Sequence, residues 1–322
     1  MQRREFITLL GGVVAAWPFA ARAQQPTKQH RVGVVTLGDA VAKSFEAELR
    51  EGLRQSGLIE GQNLQYESRA ADGNIALLPK IAAELVALKV DVIVALYTPC
   101  ALAAQRATRD IPIVVVAGDP VGLGLVASLA RPGGNITGIS LIAAELHGKC
   151  VELFRDLIPG IRRVAVLGNG PDPIVKPMLE QVRLAGKNTG IEIAPEILVG
   201  TSDEIDLAFA AMKKDGAEAV VAQASLAPSR VVEGALKHRL PMAAVSKSFA
   251  DAGALMTYGV DGPAAFRRSA LFVTKILQGV KPADLPVEQP TKFELVINLR
   301  TAKSVGLAVP SSFLQRADEV IE

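Results

Sequence analysis

Residues 31–37, Arg31-Val32-Gly33-Val34-Val35-Thr36-Leu37, make a short β-branched run, and residues 163–167, Arg163-Val164-Ala165-Val166-Leu167, make another halfway along the chain. Each is followed by a longer stretch of helical period, and the alternation then continues. That order marks βαβ units and therefore parallel sheets. Working outward from the first run, strands are expected over 31–37, 64–68, 90–96 and 111–117. A second set is expected over 163–167, 191–198, 217–222 and 241–245. Helices are expected between them, over 41–56, 77–88, 145–157, 176–188, 205–214 and 229–238. Gly57, Gly190 and Gly216 stop three of these, as the residue that most readily takes the left-handed position past a helix end.

The two sets are spaced alike. Successive strand starts lie 33, 26 and 21 residues apart in the first set and 28, 26 and 24 in the second. One doubly wound α/β unit is therefore used twice, giving two Rossmann-like parallel-sheet lobes. The carboxyl ends of both strand sets are expected to line a shared cleft, because open α/β sheets bind ligands there. Two independent domains on a linker are the alternative. The C-terminal part favours interleaving: a strand at 254–258, a helix at 263–278, a Pro-rich passage over 281–290 and a strand at 293–298 are too few for a third core. The expected path crosses a hinge three times, with a first lobe of 30–140 plus 259–284 and a second of 141–258 plus 285–322.

The chain has 322 residues, 49% hydrophobic and 21% charged, enough apolar content for two cores. Lys+Arg 35 against Asp+Glu 33 leaves a net charge of +2, too little field to grip nucleic acid. Two cysteines and three histidines exclude a disulfide framework and argue against a metal centre. Cys100 and Cys150 fall in different expected lobes, and a bridge would pin the hinge, so free thiols are expected.

Residues 1–23 follow another logic. Arg3-Arg4 precede an apolar run over 6–19, and Ala21-Arg22-Ala23 supplies a small-x-small cleavage site. The run is shorter than the roughly 20 residues that cross a bilayer as a helix. Arg3-Arg4-Glu5-Phe6-Ile7 fits a twin-arginine export signal, with a general secretory signal as the alternative. Cleavage after Ala23 would leave Lys+Arg at 32 and Asp+Glu at 32 and remove Trp17, the one tryptophan. No cysteine stands at that point to carry a lipid, so a periplasmic protein free of the membrane is expected.

Four blocks of the chain, 118–122, 129–138, 256–259 and 283–298, include Gly118-Asp119-Pro120-Val121-Gly122 and Arg131-Pro132-Gly133-Gly134-Asn135. They resemble the ABC-transporter substrate-binding proteins of the tryptophan/tyrosine-type group, and the resemblance spans nearly all of the chain after the signal. It implies a type I periplasmic binding fold, a ligand enclosed between two lobes, and a membrane permease of an ABC transporter as partner. The expectation is an extracytoplasmic solute-binding protein, monomeric, that takes a small amphipathic amino acid or organic carboxylate. A bilobed sensor that presents its bound state to a membrane receptor is the alternative.

Enzyme signatures are weak. Gly122-Leu123-Gly124-Leu125-Val126-Ala127 fits G-x-G-x-x-A, but it follows the fourth strand, and the residues for a ribose contact are missing; a helix N-terminus with small residues is the plainer reading. No G-x-S-x-G, H-E-x-x-H or G-x-x-x-x-G-K-[ST] occurs, so no catalytic residue, metal or cofactor is expected. The candidate ligand contacts are the residues leaving the strands: Leu37 and Gly38, Tyr97 and Thr98, and Asp119 from the first lobe, with Asn169 and Ser225 from the second. Phe249, Tyr258 and Asp261 are expected near the hinge. Helices starting after Thr98 and near Asn169 would turn N–H groups toward a carboxylate. Asp119 or Asp261 would receive an ammonium, and Tyr97 and Tyr258 would supply flat walls. Asp119 as a helix cap and Tyr258 as a hinge core residue remain open alternatives.

Overall fold

The computed structural model describes residues 29–38 and 40–322. The expected export signal over 1–23 lies outside the described residues. The first lobe runs β1 (His30–Thr36), α1 (Ala40–Gln55), β2 (Leu64–Ala70), α2 (Leu78–Ala87), β3 (Val92–Leu96), α3 (Thr98–Ala107), β4 (Ile113–Ala117) and β5 (Ile136–Ser140). Its five strands are all parallel, in the order β2-β1-β3-β4-β5. The second lobe runs α4 (Ala143–Leu157), β6 (Arg163–Asn169), α5 (Val175–Thr189), β7 (Glu192–Val199), α6 (Ile205–Lys214), β8 (Ala219–Ala222), α7 (Pro228–Lys237), β9 (Met242–Ala244), α8 (Lys247–Asp251) and β10 (Met256–Val260). After α9 (Gly262–Leu277) the chain adds β11 (Phe293–Asn298), α10 (Leu299–Val305), α11 (Ser311–Leu314) and β12 (Glu319–Ile321). Seven strands form the second sheet, in the order β12-β11-β10-β9-β8-β6-β7. Two α/β sheets thus stand where the repeated spacing puts them.

The sequence accounts for the layering. Every residue of β3, Val-Ile-Val-Ala-Leu, and of β4, Ile-Val-Val-Val-Ala, is buried, as strands covered by helices on both faces require. Helix α1 buries Val41, Phe45, Leu49 and Leu53, one every turn. It packs against α9, where Phe45 and Phe266 meet edge to face with ring centroids 5.2 Å apart. Helix α9 therefore belongs to the first lobe although it follows the last parallel strand of the second.

The chain passes between the lobes three times, at 141–142, at Asp261 and at 289–292. The second and third passages fall later than residues 258 and 284. Strand β10 pairs with β11 as far as Val260, while Leu285 and Val287 sit in the first lobe's core. Glu288 donates its N–H to Gly138 O and accepts from Ser140 N, at 2.9 and 2.8 Å, so this segment is laced to β5 before it leaves.

Three features differ from the sequence reading. Strand β5 was not expected. Its Gly138 sits at φ +140 with a Cβ position only 2.0 Å from Val115 O, so glycine is required there and the apolar pattern is broken. Strand β11 runs antiparallel to β10, the one antiparallel pairing in the second sheet. The stretch 122–127 forms turns instead of a helix start. Among the described residues no helix is long and apolar enough to cross a membrane.

Candidate ligand-binding site

A cavity of about 430 Å³ lies between the carboxyl ends of the two sheets. From the first lobe, Tyr97 and Thr98 follow β3, Gly118 follows β4, Val41 and Ser44 come from α1, and Phe266 from α9. From the second, Asp172 follows β6, Gln223 and Ser225 follow β8, Val245 and Ser246 follow β9, and Leu146 and His147 project from α4. Helices α3, α4, α7 and α9 all begin at its wall, at Thr98, Ala143, Pro228 and Gly262. Their first-turn N–H groups and dipoles give the space a positive bias.

Tyr97 holds an unusual backbone, φ +71 and ψ 156, just before α3. A residue with a Cβ is strained there by about 1–3 kcal/mol. The ring packs against both cores of the first lobe, which fixes it in place at the cavity rim. Beside it, Thr98 Oγ1 accepts from Gly118 N at 3.3 Å and ties the exits of β3 and β4 together.

The second lobe supplies a buried polar cluster. Asp172 Oδ2 accepts from Ser225 Oγ at 2.6 Å and Gln223 Nε2 at 2.8 Å, and Oδ1 accepts from Ile174 N at 3.1 Å. Gln223 Oε1 in turn accepts from Asn169 N at 2.8 Å, and Asn169 Nδ2 donates to Ser225 Oγ at 3.3 Å. Burial pushes the Asp172 carboxyl up from its ordinary value, against the hydrogen bonds from Ser225, Ile174 and Gln223 that favour its charge. His147 is buried too, with Nδ1 on the Ala143 carbonyl, and burial pulls its ring down to about 4. Lys247 reaches the wall but its Nζ is paired with Glu319 of β12.

Of the ten residues expected from sequence, Tyr97, Thr98 and Ser225 line this cavity, and Asn169 stands behind Ser225. The others are elsewhere. Leu37 and Phe249 are core residues, 4% and 0% exposed. Gly38 is an exposed residue just past β1 at φ +83. Asp119 accepts from Gly122 N at 2.9 Å, and Asp261 caps α9 by accepting from Ala264 N at 3.0 Å. Tyr258 packs on Phe293, with ring centroids 6.0 Å apart. Sequence reading passed over Asp172, which lies between Pro171 and Pro173 and reads as a turn, and over His147, which falls within the helix expected over 145–157. Gln223 and Ser246 lie in the strand-exit loops over 223–225 and 246–249 that the sequence order marks as candidate contacts, and both line the cavity. Cys100 and Cys150 are both buried and are not joined to each other. Among the described residues, no group of three or more His, Cys, Asp or Glu comes together to hold a metal.

A cleft with apolar walls and one buried polar cluster suits a small amphipathic molecule. Comparison with known proteins agrees with that geometry. The chain is 28% identical over 289 residues to the Tyrosine-binding protein of Clostridioides difficile, covering 87% of this chain and 82% of that one. A conserved domain protein of Vibrio cholerae matches in structure with a TM-score of 0.86 at 28% identity, over 91% of this chain and all, 100%, of that one. The ABC domain from Streptococcus pneumonia in complex with L-Trp matches with a TM-score of 0.84 at 23% identity, with the same coverages of 91% and 100%. Residues 32–321, which span both lobes and all three passages, match the family model described as ABC transporter substrate binding protein, and the chain belongs to that family.

Proposed function

We propose that this protein captures a small amino acid or amphipathic organic carboxylate in the interlobe cavity, outside the cytoplasm, and delivers it unchanged to the permease of an ABC importer. The observation that carries this reading is the division of the cavity wall: apolar residues and helix N-termini surround a single buried carboxylate, Asp172. Helix starts suit the ligand's carboxylate and Asp172 suits its ammonium. Tyr97, Phe266 and Leu146 cover the apolar body. The tyrosine-binding relative supports an amino acid as the class.

The lobes close about the three passages only if the closed state binds better, because differential affinity alone shifts the equilibrium. The protein acts as a monomer, with no nucleic-acid partner. The chain is exported by the twin-arginine route, and its signal is cleaved near Ala23. A thermal-shift screen over amino acids and small organic acids tests the reading, since a ligand at 100 times its Kd adds about 2.7 kcal/mol of stability. Small-angle scattering with the best ligand is expected to give a smaller radius of gyration. A tight ligand without compaction would overturn the clamp, and turnover of the ligand would overturn delivery unchanged.

A further inference from the structure

The three passages between the lobes differ in their backbone. At the second, Asp261 has φ −61 and ψ 94, an ordinary extended conformation. At the third, no residue of 289–292 has a positive φ. At the first, Ile142 has φ 42 and ψ 40, in the left-handed region. Asp72, Lys89, Tyr97 and Arg239 are the other non-glycine residues with positive φ among the described residues, and none of them is β-branched. A left-handed backbone brings Cβ against the following carbonyl, and branching at Cβ adds to the crowding.

Ile142 also stands where the lobes part. Leu141 packs on a core of the first lobe and Ile142 on a core of the second, so adjacent side chains are anchored in different bodies. The main chain is divided in the same way. Leu141 donates its N–H to Ala117 O at 2.7 Å and Ala143 donates to Gly118 O at 3.3 Å, both at the exit of β4. The Ile142 carbonyl instead accepts from Leu146 N at 3.2 Å, inside α4. A swing of one lobe on the other is taken up by dihedrals at such joints. The lobes meet here, since a Cβ at Gly118 would lie 3.1 Å from Ile174 of the second lobe. The strained joint belongs to that arrangement.

We propose that Ile142 is a hinge spring: its left-handed backbone is strained when the lobes meet, relaxes as they part, and holds the free protein open until a ligand supplies the difference. This rests on the clamp reading and adds the element that sets its resting position. A protein competent to bind for only a fraction of the time binds more weakly by that fraction, so the spring also sets affinity.

Scattering of the ligand-free full protein, and calorimetric titration with L-phenylalanine, test it on three variants. Ile142→Gly and Ile142→Asn accept the left-handed region, whereas Ile142→Val keeps the strain and most of the packing. The glycine and asparagine variants are expected to have a smaller ligand-free radius of gyration than the native protein, and a Kd about three- to tenfold lower. Ile142→Val is expected to stay within about twofold. If Ile142 serves only to pack the second lobe, Ile142→Gly and Ile142→Asn lose thermal stability but keep the native radius and Kd, which overturns the spring and leaves the clamp standing. Weaker binding or a more extended free form in both also overturns it. A native protein that binds a ligand tightly without compacting overturns the clamp and the spring together. If L-phenylalanine does not bind, the ligand-free radii decide.

Because loss of the isoleucine side chain can prevent folding, the three-bond coupling between the amide and α protons of Ile142, with its carbon-13 shifts, supplies a second measure on the native protein. These report φ, which is expected to be negative in the free protein and positive with ligand bound. A positive φ in the free protein overturns the proposal.

Discussion

The two faces of the cavity are built differently. The first lobe presents Val41, Phe266 and a strained Tyr97, with Thr98 spent on bracing Gly118. The second presents Asp172, Gln223, Ser225 and His147, the first two 2% and 1% exposed and joined by hydrogen bonds before any ligand arrives. A polar group held in advance loses little freedom on binding, so it can discriminate between ligands, whereas an apolar wall mainly adds contact area. The second lobe is therefore the reader and the first lobe the cover. Substitutions on the two faces should separate these roles.

The largest effect is expected at Asp172. Removing one partner of a buried, hydrogen-bonded charge pair costs about 2–5 kcal/mol. Asp172→Asn should therefore weaken L-phenylalanine at least about thirtyfold by calorimetry. The same change should leave 3-phenylpropionate, the same body without the amine, within about threefold. Equal losses for both would mean that the cluster is scaffolding and would remove the distinction between the faces. The native affinity for L-phenylalanine should also fall as pH drops through the raised pKa of Asp172, because the protonated acid no longer attracts an ammonium.

Acid stability should show the next effect, and it reports on two buried groups of the second lobe. His147 has a folded pKa of about 4, below its ordinary 6.5, so the unfolded chain takes up the proton first. Its contribution is fully present above pH 6.5 and is lost as pH falls from 6.5 toward 4, by up to about 3 kcal/mol at 1.36 kcal/mol per pH unit. Urea unfolding followed across that window should show a steep decline in the native protein. His147→Leu should flatten it. Asp172 has the opposite sign: its raised carboxyl holds a proton longer in the folded state, so its term weakens the fold as pH rises through the window above 3.8. Asp172→Asn should therefore steepen the acid decline, and the two variants together distinguish the two groups.

The faces also differ in how much of them could be read from the chain. Strands such as 113–117 announce themselves because both faces are buried and the β-branched run is unbroken. Strand β5 hides, because Gly138 stands where Val115 approaches too closely for a side chain, and three-residue β12 is too short to leave a pattern. Strand-exit loops located Tyr97, Thr98 and Ser225 through local order alone. Asp172 could not be found that way: it sits two residues after a glycine and between prolines, and only the packing of α5 and β8 around it makes it a buried acid. Asp119 and Asp261 carry the same local signature as a ligand contact and a helix cap, and the folded chain uses both as local caps. Local pattern thus reveals where the chain turns toward the cavity, while burial, which selects the reading groups, is a long-range property.

A smaller effect should come from the seam where cover meets reader. A Cβ at Gly118 would lie 3.1 Å from Ile174 Cδ1 and Cγ1 and 3.4 Å from Ala143 Cβ, all in the second lobe. Gly118→Val places two further methyl groups there, and overpacking of this kind costs about 1–3 kcal/mol. Each lobe can relieve it by moving apart, so the expected result is a Kd raised about tenfold, equivalent to 1.4 kcal/mol, with thermal stability of the free protein little changed. Scattering with saturating ligand should give a radius of gyration larger than that of the liganded native protein. Unchanged compaction would mean that closure does not bring Gly118 against Ile174.

The smallest effect should come from a charge pair on the cover side that never meets the cavity. Arg268 of α9 holds Glu288 through two hydrogen bonds of 2.7 Å, just before the third passage, and keeps its carboxyl below the ordinary value. That depressed pKa would stabilise the fold above about pH 4.5 and be lost on acidification. Both side chains are well exposed, however, at 48% and 40%, and solvent screens them, so the pair contributes about 0–1 kcal/mol. The segment is fixed more firmly by its main chain, through Glu288 N to Gly138 O, Ser140 N to Glu288 O and Thr137 Oγ1 to Leu285 O. Arg268→Gln is therefore expected to lower stability at pH 7 by under 1 kcal/mol, with the difference shrinking in high salt, and to leave ligand affinity unchanged. An affinity loss comparable with that of Gly118→Val would place the third passage among the parts that set closure, and the cover could then no longer be treated as passive.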